Sequence, residues 1–116
     1  MTEIETLLHK GADADTVDQN GFSLLMNYAK KGDLESVKAL VRYGASVNKK
    51  DMNSLSAIDY AIVSEALPVI EFLVENGAFV SPDNYMLAVN KNRKTIVEYF
   101  DSLDPNKHVF LKKRNI

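Results

Sequence analysis

An all-α solenoid, built from stacked helix-turn-helix pairs with short β-hairpin fingers, is the fold this 116-residue sequence predicts. Three observations predict it. The dipeptide Gly-Ala occurs at 11–12, 44–45 and 77–78, so the spacing is 33 residues twice (44 − 11 and 77 − 44). Apolar positions upstream keep the same step: Ile4, Val37 and Ile70; Leu7, Leu40 and Leu73; Leu8, Val41 and Val74. Within each unit those positions fall at i, i+3 and i+4, one face of a helix. The glycine comes three residues later, where a helix closes through a left-handed cap that glycine adopts without a Cβ penalty.

The elements follow in order. Residues 1–15 form a half unit with one helix expected over 2–10. Residues 16–48 and 49–81 are two full units, with helix pairs near 22–31/34–43 and 55–64/67–76. The third unit, 82–104, pairs helices near 83–91/94–103. It is shorter, because Ala61 to Ala88 spans 27 residues rather than 33, so about six residues of its finger are missing. Ser81-Pro82 stands in their place, an N-cap followed by proline at the first helical position. This finger-trimmed unit reads as the C-terminal cap, and 105–116 as a basic tail. Tyr28 occupies the position of Ala61 and Ala88, while Ala39 occupies that of Phe72 and Tyr99. The reversed order of large and small predicts that Tyr28 packs over Ala39.

A period of 33 residues is the length of one ankyrin unit, and the sequence resembles the ankyrin-repeat family over about residues 1–104. Residues 18–48, "DQNGFSLLMNYAKKGDLESVKALVRYGASVN", hold the family pattern at Asp18, Gly21, Leu25, Ala29, Gly32, Leu40, Gly44, Ala45, Val47 and Asn48. Residues 51–81 hold it at Asp51, Ile58, Ala61, Leu73, Gly77, Ala78 and Val80. The resemblance implies about two full repeats between a half repeat and a trimmed cap. There are departures. The family's Thr-Pro-Leu-His turn appears as Ser23-Leu24-Leu25-Met26 and Ser56-Ala57-Ile58-Asp59. Serine still caps a helix, but the histidine that ties neighbouring repeats is gone, so inter-repeat hydrogen bonding is expected to be thinner.

Composition and motifs narrow the function by exclusion. Hydrophobic residues make up 46% and charged residues 26%, ordinary for one soluble globular domain. No apolar run approaches the roughly 18–20 residues of a membrane span, and the acidic start lacks the features of a secretory signal. With no cysteine, disulfide and thiolate chemistry are absent, and a cytoplasmic setting is expected. The net charge of −2 gives no general attraction to nucleic acid or anionic membrane. The charge is uneven: Glu3, Glu5, Asp13 and Asp15 against Lys10 leave −3 in residues 1–15, whereas Lys107, Lys112, Lys113 and Arg114 give +4 in residues 105–116. That tail reads as solvated, with Val109, Phe110 and Leu111 covering the last helix pair; contacts with phosphates, an acidic partner or a second copy are the alternatives. His9 and His108 are far apart without cysteine partners, so no zinc spacing exists. Asp13-Ala14-Asp15 lacks the glycine and distal glutamate of a calcium loop, and no glycine-rich phosphate loop follows a strand. No catalytic residue, cofactor or metal is expected, and the chain reads as a non-enzyme.

A solenoid presents a concave surface of finger tips and inner helices, and the resemblance implies that a protein partner contacts it. The variable positions there are Gln19, Asn20, Phe22, Lys30 and Lys31 in the first full unit. In the second they are Met52, Asn53, Leu55, Val63 and Ser64, and in the trimmed unit Asn90 and Lys91. Phe22, Met52 and Leu55 stand out as apolar side chains where the pattern does not need them, and a clustered exposed patch marks an interaction site. Covering by neighbouring fingers is the alternative. The function expected is a monomeric, non-enzymatic protein-binding module, complete in itself and acting as an inhibitor or immunity protein. A scaffold subunit of a homo-oligomer or larger complex is the alternative.

Overall fold

A computed structural model of the chain describes residues 2–103. The basic tail, with His108 and the Val109-Phe110-Leu111 trio, lies outside the described residues. The described chain folds into seven helices: α1 (Glu3–His9), α2 (Leu24–Lys31), α3 (Leu34–Arg42), α4 (Ala57–Val63), α5 (Leu67–Glu75), α6 (Pro82–Asn90) and α7 (Lys94–Ser102). They form two layers. The inner helices α2, α4 and α6 lie side by side, α1, α3 and α5 line up behind them, and α2/α3, α4/α5 and α6/α7 pack as pairs. Between the layers Leu25, Leu40, Ile58, Ile62, Ile70, Leu73, Ile96 and Phe100 are fully buried. Each such side chain contributes about 1.5–3 kcal/mol of burial free energy.

The Gly-Ala step has a defined job. After α3, the Gly44 amide donates to the Val41 carbonyl at 3.0 Å and the Ala45 amide to the Leu40 carbonyl at 2.9 Å. With Gly44 at φ +97° this is the closing motif of a helix through a left-handed residue. Ala78 donates to Leu73 at 2.9 Å and Ala12 to Leu7 at 3.0 Å in the same way. Ala45 and Ala78 are also buried, so a small residue is required after the glycine.

The inner helices end through a second left-handed position whose residue type varies: Gly32, Glu65 and Asn92. They begin at serines. The Ser23 hydroxyl accepts the Met26 amide and the Ser81 hydroxyl the Asn84 amide, both at 3.1 Å, while Ser56 donates its amide and hydroxyl to Asp59 Oδ2. The cap residues Ser56 and Ser81 are 25 apart, yet α5 and α7 start 27 apart at Leu67 and Lys94. The third finger has therefore lost eight residues (33 − 25), and α6 is two residues longer than α4 (9 against 7).

Two expectations need correction. The fingers are tight hairpin turns with almost no strand: among the described residues the strand-like pairing is an isolated antiparallel bridge between Val17 and Ser23. The Asp18 amide donates to the Phe22 carbonyl at 3.0 Å and the Asp51 amide to the Leu55 carbonyl at 2.9 Å, and aspartate side chains brace the same turns, so no longer ladder forms. Nor is polar bonding between units thin. Asp15 accepts the Ser46 amide at 2.7 Å and its hydroxyl at 3.0 Å; Asn48 donates to the Gly77 carbonyl at 2.9 Å and accepts the Phe79 amide at 2.8 Å. At the position of the missing histidine, Asn84 bonds Asp59. Ala39 is fully buried and Tyr28 half-buried against the same core.

Candidate functional site

The residues singled out from the sequence fall into two groups at opposite ends of the inner helices. These helices are seven to nine residues long, so about 10–14 Å at 1.5 Å per residue separates their ends.

The first group is at the finger tips. Gln19, Asn20, Met52 and Asn53 are exposed, and the Met52 amide donates to the Asn20 carbonyl at 3.0 Å, joining one finger to the next. Each turn is held by one aspartate. Asp18 Oδ1 accepts the amides of Asn20 (2.8 Å) and Phe22 (3.0 Å), and Asp51 Oδ1 those of Asn53 (2.9 Å) and Leu55 (3.0 Å). The Tyr60 hydroxyl donates to Asp51 Oδ2. Burial works against the Asp51 charge, but the Tyr60 hydroxyl and the Leu55 and Asn53 amides outweigh it and hold the carboxyl below its usual value. Burial, then the Asp51 carboxylate it donates to, pushes the Tyr60 hydroxyl up to about 12.

The expected apolar patch is not one. Met52 is 75% exposed, but Phe22 and Leu55 are half-buried. The Phe22 ring meets Tyr60 of the next unit edge-on, 5.2 Å between centroids and 80° between planes. Neighbouring units cover it, so packing accounts for an apolar residue there.

The second group sits at the C-terminal ends of α2, α4 and α6, where Lys30, Lys31, Val63, Ser64, Asn90 and Lys91 are all exposed. Hydrogen bonds run through this edge from unit to unit. The Ser64 hydroxyl donates to the Lys30 carbonyl, and Arg93 Nη2 to the Val63 carbonyl at 2.7 Å. Arg93 Nη1 pairs with Glu65 Oε2 at 3.3 Å. Lys31 Nζ lies 5.3 Å from the centre of the Tyr28 ring. The edge thus carries exposed lysines near Val63, and the Lys30 and Val63 carbonyls are bonded across to the next unit.

Sequence reasoning missed a third feature. A groove of about 310 Å³ lies between the second finger and the start of the trimmed unit, lined by residues that include Asn48, Asn53, Leu55, Asp59, Phe79 and Asp83. Phe79 is 62% exposed. The signal was present in the sequence: a finger shortened by about six residues, eight in the structure, leaves its neighbour's flank uncovered. Among the described residues no three or more His, Cys, Asp or Glu side chains are grouped to hold a metal ion, and no helix is long and apolar enough to cross a membrane.

A family model described as ankyrin repeats (3 copies) matches residues 2–84. The chain belongs to the ankyrin-repeat family. Proteins of known name carry similar repeats. One is fowlpox virus FPV244, named for its ankyrin repeats, 28% identical over 101 residues that cover 84% of this chain and 15% of that protein. Another is the mouse B-cell lymphoma 3 protein homolog, 37% identical over 73 residues, 62% of this chain and 16% of that one. A third is the palmitoyltransferase AKR1 of Lachancea kluyveri, 36% identical over 66 residues, 57% of this chain and 9% of the enzyme. The chain spans less than a fifth of each of these relatives. What they share with it is the ankyrin array, a fold whose general use is protein–protein interaction.

Proposed function

We propose that this ankyrin protein binds one partner protein across the strip running from the finger tips to the C-terminal ends of its inner helices. Occupying that partner's surface, as an inhibitor or immunity protein does, is then how it acts, as a monomer in the cytoplasm. The observation that carries the reading is the exposed side chains at both ends of that surface: Met52 at the finger tip, and Val63 with Lys30, Lys31 and Lys91 at the C-terminal ends of the inner helices. Exposed apolar side chains beside cationic ones on helices held by their neighbours offer a partner both burial and charge pairing. Such a surface suits a partner whose rim is acidic.

The test is capture of a partner from the native lysate by the full chain, beside a Met52→Ser/Val63→Ser/Lys31→Glu variant whose fold is checked by circular dichroism. All three side chains are exposed, so the variant should fold. A partner retained by the wild type and lost by the variant supports the reading. Equal retention by both overturns the placement, and loss of that partner's activity in the complex separates inhibition from scaffolding.

A further inference from the structure

Where a third finger would stack on the second, the groove of about 310 Å³ is left. Its floor is polar and internally satisfied, with Asn84 and Ser56 bonded to Asp59. Its rim carries the exposed Phe79 ring and the exposed carboxylate of Asp83 in the first turn of α6. No ion pair among the described residues involves Asp83. Lys50 also lines the groove, so its three charged side chains, Asp59, Asp83 and Lys50, sum to −1.

Gly21 and Ser54 decide what kind of occupant enters. They are equivalent, 33 residues apart, and both have positive φ, +76° and +64°. A Cβ on Gly21 would stand 3.3 Å from the Asp51 Cα, a tight contact on a left-handed backbone, so glycine there favours the close stacking of the second finger. The second finger carries serine at that point. Its Cβ keeps another finger's backbone from approaching as closely, which argues against a second copy of the repeat. Side chains can still reach in beside it.

We infer that the groove takes an extended segment of a partner protein through an arginine or lysine side chain, the cation lying between the Phe79 ring and the Asp83 carboxylate. The inference rests on the reading of the chain as a binding module and adds the chemistry of one subsite. An aromatic face attracts a cation, and a carboxylate gives it a charge-assisted hydrogen bond. An acidic side chain would meet repulsion at the same place.

The experiment is a nuclear magnetic resonance titration of the isotope-labelled full chain with synthetic octapeptides of glycine, serine and valine. Their one central residue is Arg, Lys, Gln or Glu. The amides of Asn53, Phe79, Asp83 and Asn84 should move with the Arg and Lys peptides, which should bind about tenfold tighter than the Gln peptide, the effect of one charge-assisted contact. Asp83→Asn should shrink that preference to under about threefold, and Phe79→Ala should weaken the Arg peptide most. Both side chains are exposed, so both variants should fold. Equal binding of all four peptides, or a preference untouched by both substitutions, would overturn the inference. So would binding that appears only once residues 105–116 are removed, since the chain's own tail would then be the occupant. A lysate partner still retained while the peptides show no cation preference would sink this subsite alone and leave the binding-module reading standing.

Discussion

The side-chain amide of Asn84 donates to Asp59 Oδ1 at 2.6 Å, tying the first turn of α6 to the first turn of α4. Both residues stand three positions after a capping serine, where the family pattern has histidine. In α2 the same position is Met26, buried, with its sulfur accepting the Ser23 amide at 3.3 Å. The lateral bond at this level therefore joins the second and third units. At Met26 packing takes its place.

Asn84→Ala removes this bond and the cap contacts with Ser81 together. The loss should be about 1–2 kcal/mol: the half-buried Asp59 carboxylate loses one donor but keeps Ser56, and the Ser81 cap loses its side-chain partner. Denaturant unfolding of the full chain measures it, and an effect below about 0.5 kcal/mol would show the bond to be dispensable.

Phe22 and Met52 should separate cleanly. Phe22→Ala gives up the edge-on contact with Tyr60 and should cost about 2–3 kcal/mol. Met52→Ser, at a tip that is 75% exposed, should stay within about 0.5 kcal/mol of wild type. Thermal unfolding of the two variants side by side checks the pair.

The hydroxyl of Tyr60 sets an alkaline limit. Its folded-state value of about 12 exceeds the ordinary 10, so the folded chain keeps the proton after the unfolded chain has lost it. Stability is whole below pH 10 and falls between pH 10 and 12. Tyr60→Phe should shrink that fall and leave the part due to Tyr99, whose hydroxyl burial and then Glu71 and Glu75 also push up. Asp51 has the opposite sign: its carboxyl is held below the ordinary value, so its contribution is present above about pH 4 and is lost as acid titrates the folded state. Urea midpoints followed from pH 2 to 12 would resolve both limbs, and a flat alkaline limb in the wild type would contradict the first.

The equivalent residues Gly21 and Ser54 should respond differently to substitution. Gly21→Ala adds a left-handed penalty and a contact with the Asp51 backbone, for a loss of about 1–3 kcal/mol. Ser54→Gly relieves one strained residue but frees the unfolded chain, so the change should stay within about 0.5 kcal/mol. Equal responses at the two sites would show that finger stacking does not constrain residue 21.

The repeat was legible because three things had to recur together: apolar residues that face the core, a glycine that can turn left-handed, and a small residue after it. Ala45 and Ala78 satisfy the last requirement inside the core, and no other pattern explains them as economically. Even the trimmed finger could be read from the spacing of Ala61 and Ala88. Burial at the tips was less legible, because it depends on the neighbouring unit. Phe22 looks exposed along its own finger, yet it packs against the core and meets the ring of Tyr60 in the next unit. The groove beside Phe79 was missed for the same reason, being an absence between two units rather than a property of either. Asp59 and Asn84 replaced the family histidine with a different donor and acceptor, which no single-position comparison would pair.

Arrays of this kind grow by tandem duplication, and the serine at 54 gives that growth a direction. A unit copied upstream of residue 16 would carry its own glycine against the Asp18 turn, the counterpart of the Asp51 turn that Gly21 meets. A full-length unit inserted after residue 81 would have to stack on a finger whose residue 54 carries a Cβ where Gly21 has none, so lengthening there is expected to call for Ser54→Gly as well.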